Sequence, residues 1–493
     1  MCYCWSMFYK KGKDMEQNQV KRLINPTKIK ILYLAAKFCF NMVACMEMYY
    51  IAAYTTDIAF IPVAITFIPL TIPNIVDFLQ SFVNGVIIEK MPHPLGKYTF
   101  WMGIGPIIAS IAYIIVYIRF DNDMTCAVIM CIMIILAHFF WNIAEITHTS
   151  VPSVFTDDTK ERSTLSMLQN SGTTWSSFLF GLIAMPIITA VSAKTGAVNN
   201  TYGSTVMISG YTIMTIIAAI MYIIGYGLLA INIRGMEKRE EELVAAAEHK
   251  RAAKEGGTGK LKGKDMLKSF FSNPPLIVLT IFQFCNWMVA FVPMGFQYYF
   301  FNCSLGALAM MSVFISATSL AGMFSMLMFP IYQRLFKYDK KRMMLTLSIV
   351  NHIWSFVFYI FRFPIMIYLV VSILQRLFTS AGGFNTLAIY SDTATYAQWK
   401  TGADSRAFVM SCYTIPLKLA LLIRGVITAA ILAGIQYDAS VAPSTYADTF
   451  WNVYILMPAC ISTVGWFIFL IGYRLKEDQV TQMALEIQQR SQE

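Results

Sequence analysis

Charge is what this sequence lacks. Of its 493 residues only 13% are Asp, Glu, Lys or Arg, while 57% are hydrophobic, and the mean hydropathy is +0.56. Soluble domains carry about 25% charged residues, so a water-soluble globular protein is excluded. Alternating polar and apolar segments of about 10 residues are missing too, which excludes a membrane β-barrel. In their place stand apolar runs of roughly 20 residues along the whole length, the pattern of membrane-spanning helices. Because lipid satisfies no backbone polar group, the expected fold is an all-α membrane protein.

The motifs of soluble catalysis are also absent. There is no Gly-rich phosphate loop, no H-E-x-x-H and no nucleophile elbow, and no stretch long enough for a nucleotide-binding domain. Neither an enzyme nor an ATP-driven pump is expected. Ten cysteines include Cys2 and Cys4 but no paired C-x-x-C sets, so no metal, disulfide or cofactor is assigned. His138 and His148 lie ten residues apart, not the three or four of a helical ligand pair. The opening "MCYCWSMFYKKGKDMEQ" has too short an apolar part for a signal peptide; Met15 is an alternative start.

What is present divides into twelve expected transmembrane helices, at about 29–53, 60–88, 98–118, 124–149, 164–191, 207–232, 275–300, 305–332, 343–361, 364–391, 405–435 and 449–473. The net charge of +10 does not point to nucleic acid, because of where the charges lie. The first arm, the loops after helices 2, 4, 6, 8 and 10, and the tail hold 31 Lys and Arg; the other side holds only Arg119, Lys194 and Arg362. By the positive-inside rule both termini are expected in the cytoplasm and the protein in the plasma membrane. The polar stretch 233–274 separates six helices from six. The expected units are a cytoplasmic arm (1–28), a six-helix bundle (29–232), a cytoplasmic loop (233–274), a second bundle (275–473) and a tail (474–493). "EGGTGKLKGK" in the loop reads as flexible linker; the loop is a solvated connector or a regulatory docking site.

An ionised group at the bilayer centre costs about 2.5–3.5 kcal/mol on insertion scales, and those retained usually face a cavity or each other. The interior inventory is Lys37, Glu47, Asp77, Glu145, Arg376, Lys418 and Arg424, with Asp392 near the end of helix 10. Two readings stand: a polar cavity between the halves, or ion pairs that lock helices. Lys37, Arg376 and Arg424, near helix ends, could equally snorkel to the surface. Tyr49 and Tyr50 adjoin Glu47, and Asn286 adjoins Trp287. Rings beside amides and hydroxyls suit a sugar's apolar faces and hydroxyl edges, though packed cores and membrane interfaces use aromatics too.

Several stretches carry a family resemblance: "YTTD" (54–57), "NIVDFLQSFVNG" (74–85), "GKYTFW" (96–101), "DDTKERSTLS" (157–166) and "YSDTATYAQWKTG" (390–402), the last followed by Thr414 and Lys418. From about residue 30 to 473 the chain resembles the glycoside–pentoside–hexuronide cation symporters, the melibiose permease-like branch of the major facilitator superfamily. The resemblance implies two six-helix bundles working by alternating access on a small solute, here a sugar or glycoside, as a monomer, with Na⁺ or H⁺ as coupling ion. It carries a cation role to Asp77, Ser81, Thr414 and Lys418, and substrate positions to Asn41, Glu145, Thr149, Asn170 and Asn286, beside Trp287, Tyr49 and Tyr50. Gly96, Lys97, Glu161, Arg162, Trp399 and Lys400 fall on its conformational loops.

This chain departs from the pattern where chemistry is concentrated. Helix 2 of the family commonly carries two acids one turn apart; here they read Asp77 and Ser81. A helix 1 Asp reads Asn41, a helix 4 Asp reads Glu145, the Trp after it reads Thr149, and a helix 5 Arg reads Asn170. If Asp77 and Lys418 pair directly, their charges sum to zero and a cation-independent uniporter is possible. If they do not, Asp77 can take a proton, or Na⁺ with hydroxyl help from Ser81 and Thr414. A non-sugar solute and a non-transporting receptor on the same scaffold are the other readings.

Overall fold

The structure is a computed structural model that describes residues 26–81, 83–84, 87–88, 96–155, 159–195, 206–234, 271, 273–383, 386–401, 409 and 412–490. Nearly all of the 233–274 loop lies outside the described residues. Helix α1 (Pro26–Ala53) starts on a proline, whose fixed φ and missing N–H suit a first turn, and runs into a π-turn at Tyr54–Ile58. Phe60 at φ 49° and Pro62 stop that helix. Helix α2 therefore begins only at Phe67, later than the expected start at 60, and is described to Gln80; the stretch to the expected end at 88 is only partly described. The first half is completed by α3 (Lys97–Val116), α4 (Asp123–Phe155), α5 (Thr159–Thr195) and α6 (Gly210–Ile233). Two short strands, β1 (Ile118–Phe120) and β2 (Val206–Ile208), pair antiparallel across the mouth of this half.

The second half repeats the plan. Helix α7 (Pro274–Tyr299) is capped by Asn273, whose side chain accepts from the Leu276 N–H at 3.2 Å. Like α1, it ends in a π-turn, at Phe300–Ser304. Then come α8 (Ala309–Leu335), α9 (Lys340–Phe361, capped by Asp339) and α10 (Ile365–Gly383). The expected tenth helix, 364–391, is covered by α10 and by α11 (Thr386–Thr401), which flank residues 384–385, outside the described residues. Helix α12 (Thr414–Gly434), α13 (Ala447–Trp451), a π-turn at Asn452–Leu456 and α14 (Met457–Gly472) finish the bundle. The tail forms α15 (Glu477–Arg490) and docks on α11, where the Trp399 indole donates to Glu486 at 2.6 Å.

Eleven helices among the described residues are long and apolar enough to cross a membrane; α10 supplies a twelfth with the shorter apolar run Ile365–Thr379. An even number of crossings among the described residues puts Pro26 and Arg490 on one face. Helices α1–α6 pack as one bundle and α7–α14 as another, and they meet along three lines: α1 on α7, α2 on α12, and α5 on α8.

Among the described residues those lines are tightest toward the face opposite the termini. The two equivalent π-turns meet there, with the Thr56 and Tyr299 hydroxyls 2.7 Å apart. Tyr437 donates to Asp57 at 2.9 Å, and the Ser316 hydroxyl to the Phe178 carbonyl at 3.2 Å. Glycines permit the approach: a Cβ on Gly181 would sit 2.8 Å from the Ser316 nitrogen, and one on Gly425 would strike the Leu70 carbonyl and Asn74. Toward the terminal face Asn170, Trp175, Thr414 and Ile415 are exposed.

Gly181→Val should therefore wedge α5 from α8. Overpacking costs about 1–3 kcal/mol, so the population with the opposite face closed should fall roughly 5- to 150-fold relative to the open one. Spin-label distances across that face measure the shift; distributions identical to wild type would refute the contact.

Candidate functional site

Asp77 sits on the last turn of α2 with 5% of its surface exposed. Its carboxylate faces Lys418, one turn into α12: the Lys418 ammonium lies 2.9 Å from Oδ2 and 3.2 Å from Oδ1. Asn142 on α4 closes the cluster. Its amide nitrogen donates to Asp77 Oδ1, and its oxygen accepts from Lys418 at 3.1 Å. The pair spans the two halves, since α2 belongs to one and α12 to the other. Asn142 was not among the expected site residues. It is an uncharged polar residue on an apolar helix, one turn from His138, and that spacing is the signal that could have found it.

The other two interior carboxylates have different partners. Glu145 bonds to Lys37 through Oε1 and accepts from the Tyr226 hydroxyl at 2.9 Å through Oε2; all three residues lie in the first half. Lys37 also lies 4.6 Å from the centre of the Phe40 ring, a cation–π contact. Glu47 accepts from Tyr113 at 2.8 Å and bonds His138 Nε2 at 2.9 Å. Arg424 reaches it from α12, donating to the Glu47 main-chain carbonyl at 3.4 Å. Lys37 and Arg424 thus turn inward rather than snorkel to the surface.

Arg376 behaves otherwise. It shares a face of α10 with Tyr368 and Ser372, spaced one turn apart, and those two are buried. Arg376 itself is exposed, yet it lies within electrostatic reach of Tyr49 on the facing half. No carboxylate among the described residues lies within ion-pair distance of it. An unpaired guanidinium at this depth fits a water-filled gap between the halves, not lipid.

The remaining expected residues are dispersed. The Ser81 side chain is exposed and donates to the Asp77 main-chain carbonyl at 2.9 Å, so its hydroxyl proton is not on the carboxylate. Thr414 is exposed one turn before Lys418. Asn41 ties α1 to α5, donating to the Thr173 carbonyl and the Ser177 hydroxyl at 3.1 Å each. Thr149 and Asn170 are exposed, the former bonded to the Ile146 carbonyl. Tyr49 and Tyr50 are buried beside Phe180. Asn286 is half-buried, and Trp287 stacks on Phe291 with its indole N–H buried and unpartnered among the described residues. Gly96 precedes α3 at φ 98°, Glu161 pairs with Lys30 at 3.2 Å, and Lys400 lies 5.7 Å from the Tyr396 ring centre. Lys97 and Arg162 fall within helices, but their side chains lie outside what is described.

A family model described as MFS/sugar transport protein matches residues 32–477. A lactose permease of Leuconostoc lactis is 20% identical over 82% of this chain, which spans 62% of that relative's length. A putative sulfoquinovose importer of Escherichia coli (strain K12) is 22% identical over 94% of this chain and 93% of its own. Among solved structures, the nucleoside transporter NupG superposes with a TM-score of 0.60 at 13% identity, covering 91% of this chain and all of that one.

Removing one partner of a buried ion pair strands the other charge, at a cost of about 3–5 kcal/mol. Lys418→Ala should lower thermal stability in detergent accordingly. Adding Asp77→Asn to it should restore a large part of the loss, because the stranded charge is gone. Strictly additive effects in that double-mutant cycle would show that the two side chains do not interact.

Proposed function

The chain belongs to the MFS/sugar transport protein family, and from that membership we propose that it is a secondary active transporter that carries a sugar or glycoside with a cation by alternating access. It is a multi-pass membrane protein. Placement in the plasma membrane with both termini cytoplasmic is part of the proposal, supported by the one-sided distribution of Lys and Arg. The division into two six-helix units joined by the 233–274 loop is part of it too.

The observation that carries the reading is the Asp77–Lys418 pair. It bridges the halves in a conformation closed at the face opposite the termini, and in the proposed cycle the exchange of faces rearranges it. Separating the charges in a poorly solvated site is costly, unless a cation takes the place of Lys418 on the carboxylate. Either H⁺ or Na⁺ can do so: a proton neutralises the acid, and Na⁺ is bound by carboxylate and hydroxyl oxygens of the kind offered by Asp77, Ser81 and Thr414. Asp77 is then the point where cation binding and conformational exchange meet.

Arg376 narrows the solute. An unpaired guanidinium in the gap favours a sugar bearing a carboxylate or sulfonate, which Arg binds through two parallel hydrogen bonds. The putative importer of Escherichia coli is named for such a sugar.

The test is counterflow in proteoliposomes with labelled neutral glycosides, uronides and sulfonated sugars, with and without Na⁺ and across pH. Exchange of one solute that rises with Na⁺ or acid, and loses that stimulation in Asp77→Asn, is the expected result. Sugar exchange indifferent to both ions would make the protein a uniporter. No exchange of any sugar would overturn the substrate class.

A further inference from the structure

A second titratable cluster lies one turn of α4 away from Asn142. Glu47 and His138 are 6% and 3% exposed, and Arg424 is 8% exposed. The Tyr113 hydroxyl and His138 Nε2 both bond Glu47 Oε2, at 2.8 and 2.9 Å, and His138 Nδ1 is buried without a partner among the described residues. Arg424 crosses from the other half. Besides the Glu47 carbonyl it meets Met48, with Nη1 2.8 Å from the sulfur, and its charge reaches the Glu47 carboxylate. Gly295 packs beside it: a Cβ there would meet Arg424 Nε at 3.4 Å, an ordinary contact. A cavity of about 20 Å³ beside Glu47, lined also by Asn74, Ile134, Arg424 and Thr428, can hold one water. The ionisable groups that act on this pair are Tyr113 and Tyr117 from α3, Arg424 and Lys418 from α12, and Asp77 from α2.

The arrangement is unequal between the halves. Glu47, Tyr113 and His138 all belong to the first; only Arg424 belongs to the second. Opening the face opposite the termini must draw α12 away from α1 and take Arg424 with it. A carboxylate that loses its cation in a poorly solvated site regains neutrality by binding a proton.

We propose that Glu47 with His138 is a proton-binding site whose occupancy alternates with the docking of Arg424, so that H⁺ is a coupling ion of the transport cycle. The inference rests on the transport reading above and adds a second site to it. With the opposite face open, hydronium protonates the Glu47 carboxylate: an O–H bond forms and water is left. When that face closes, Arg424 returns, the O–H bond breaks and the proton passes to water. Acid therefore favours the open face, and Glu47 is the group that senses it.

The test needs no solute. Spin labels on exposed positions across the opposite face, at Asp121 and Val441, report its opening in full-length protein in nanodiscs from pH 5 to pH 9. Wild type should shift toward longer distances in acid. Glu47→Gln should lose that shift, with one distribution at every pH. Arg424→Gln should lose it as well, with the longer distances dominant throughout; this variant keeps the test decisive if Glu47→Gln fails to fold. A wild-type distribution that ignores pH overturns the proposal. So does a shift that survives in Glu47→Gln, or one abolished by Asp77→Asn while Glu47→Gln retains it. Sugar counterflow fails or succeeds independently of these distances, so the two readings fall separately.

Discussion

A charge inside a bilayer must have a partner, and in this protein some partners stand on the other half of the molecule. That constraint sorts the interior ion pairs by what they can do. Lys37 and Glu145 both belong to the first bundle. Rocking one half against the other leaves them together, so their bond stabilises the bundle in every conformation. Asp77 and Lys418 belong to different halves. Their bond stabilises only conformations in which α2 and α12 touch, and it opposes exchange by whatever their separation costs. The same chemistry is structural in one place and conformational in the other, and topology alone makes the difference.

The closed face has contacts suited to being reversible. Besides the Tyr437–Asp57 bond and the reach of Arg424 to Glu47, its links among the described residues include neutral hydroxyl bonds such as Thr56 to Tyr299 and glycine contacts such as Gly181 on Ser316. Net, a neutral hydrogen bond contributes only about 0.5–1.5 kcal/mol. A seal made of several such terms excludes water yet can be outweighed by one ion binding elsewhere. The matching π-turns after α1 and α7 place Thr56 and Tyr299 at this seal. Each inserts extra backbone into a helix end, which re-aims the following side chains toward the partner half.

Much of this was legible in the sequence, and what was not follows a pattern. Apolar run length depends on one segment at a time, so an all-α membrane fold with twelve helices could be read directly. The helix 2 boundary could not: Phe60 in a left-handed conformation depends on its surroundings, although Pro62 was a visible warning. Asp77 and Lys418 stood out because isolated charges in apolar runs always do. Their partners did not. Asn142, the pairing of Glu47 with His138, and the inward turn of Arg424 depend on which helix faces align across space, and no one-dimensional spacing carries that. Ser81 illustrates the limit from the other side. Its position one turn from Asp77 was read correctly, but its hydroxyl has a local carbonyl to bond, which short hydroxyl side chains in helices commonly use.

The missing second acid on α2 also becomes intelligible through charge balance. Asp77 and Lys418 neutralise one another, as do Lys37 and Glu145, and Arg424 lies within reach of Glu47. A further carboxylate at position 81 would leave the α2 site with one negative charge too many in this conformation. Instead the third acid stands on α1, where a cation from the opposite half covers it. Two further interior charges have no ion pair among the described residues: Asp57, held by the Tyr437 and Thr56 hydroxyls at the seal, and Arg376, which faces the gap. A monoanionic sugar there neutralises it, and a proton on Glu47 compensates for the withdrawal of Arg424. On the proposed reading solute and proton cross together without net charge, which would leave the cycle driven by the pH and solute gradients and insensitive to membrane potential. A neutral sugar carried with the same proton would instead move one positive charge per cycle. The sign of Arg376, more than any carboxylate, thus links which solute fits to which force drives it.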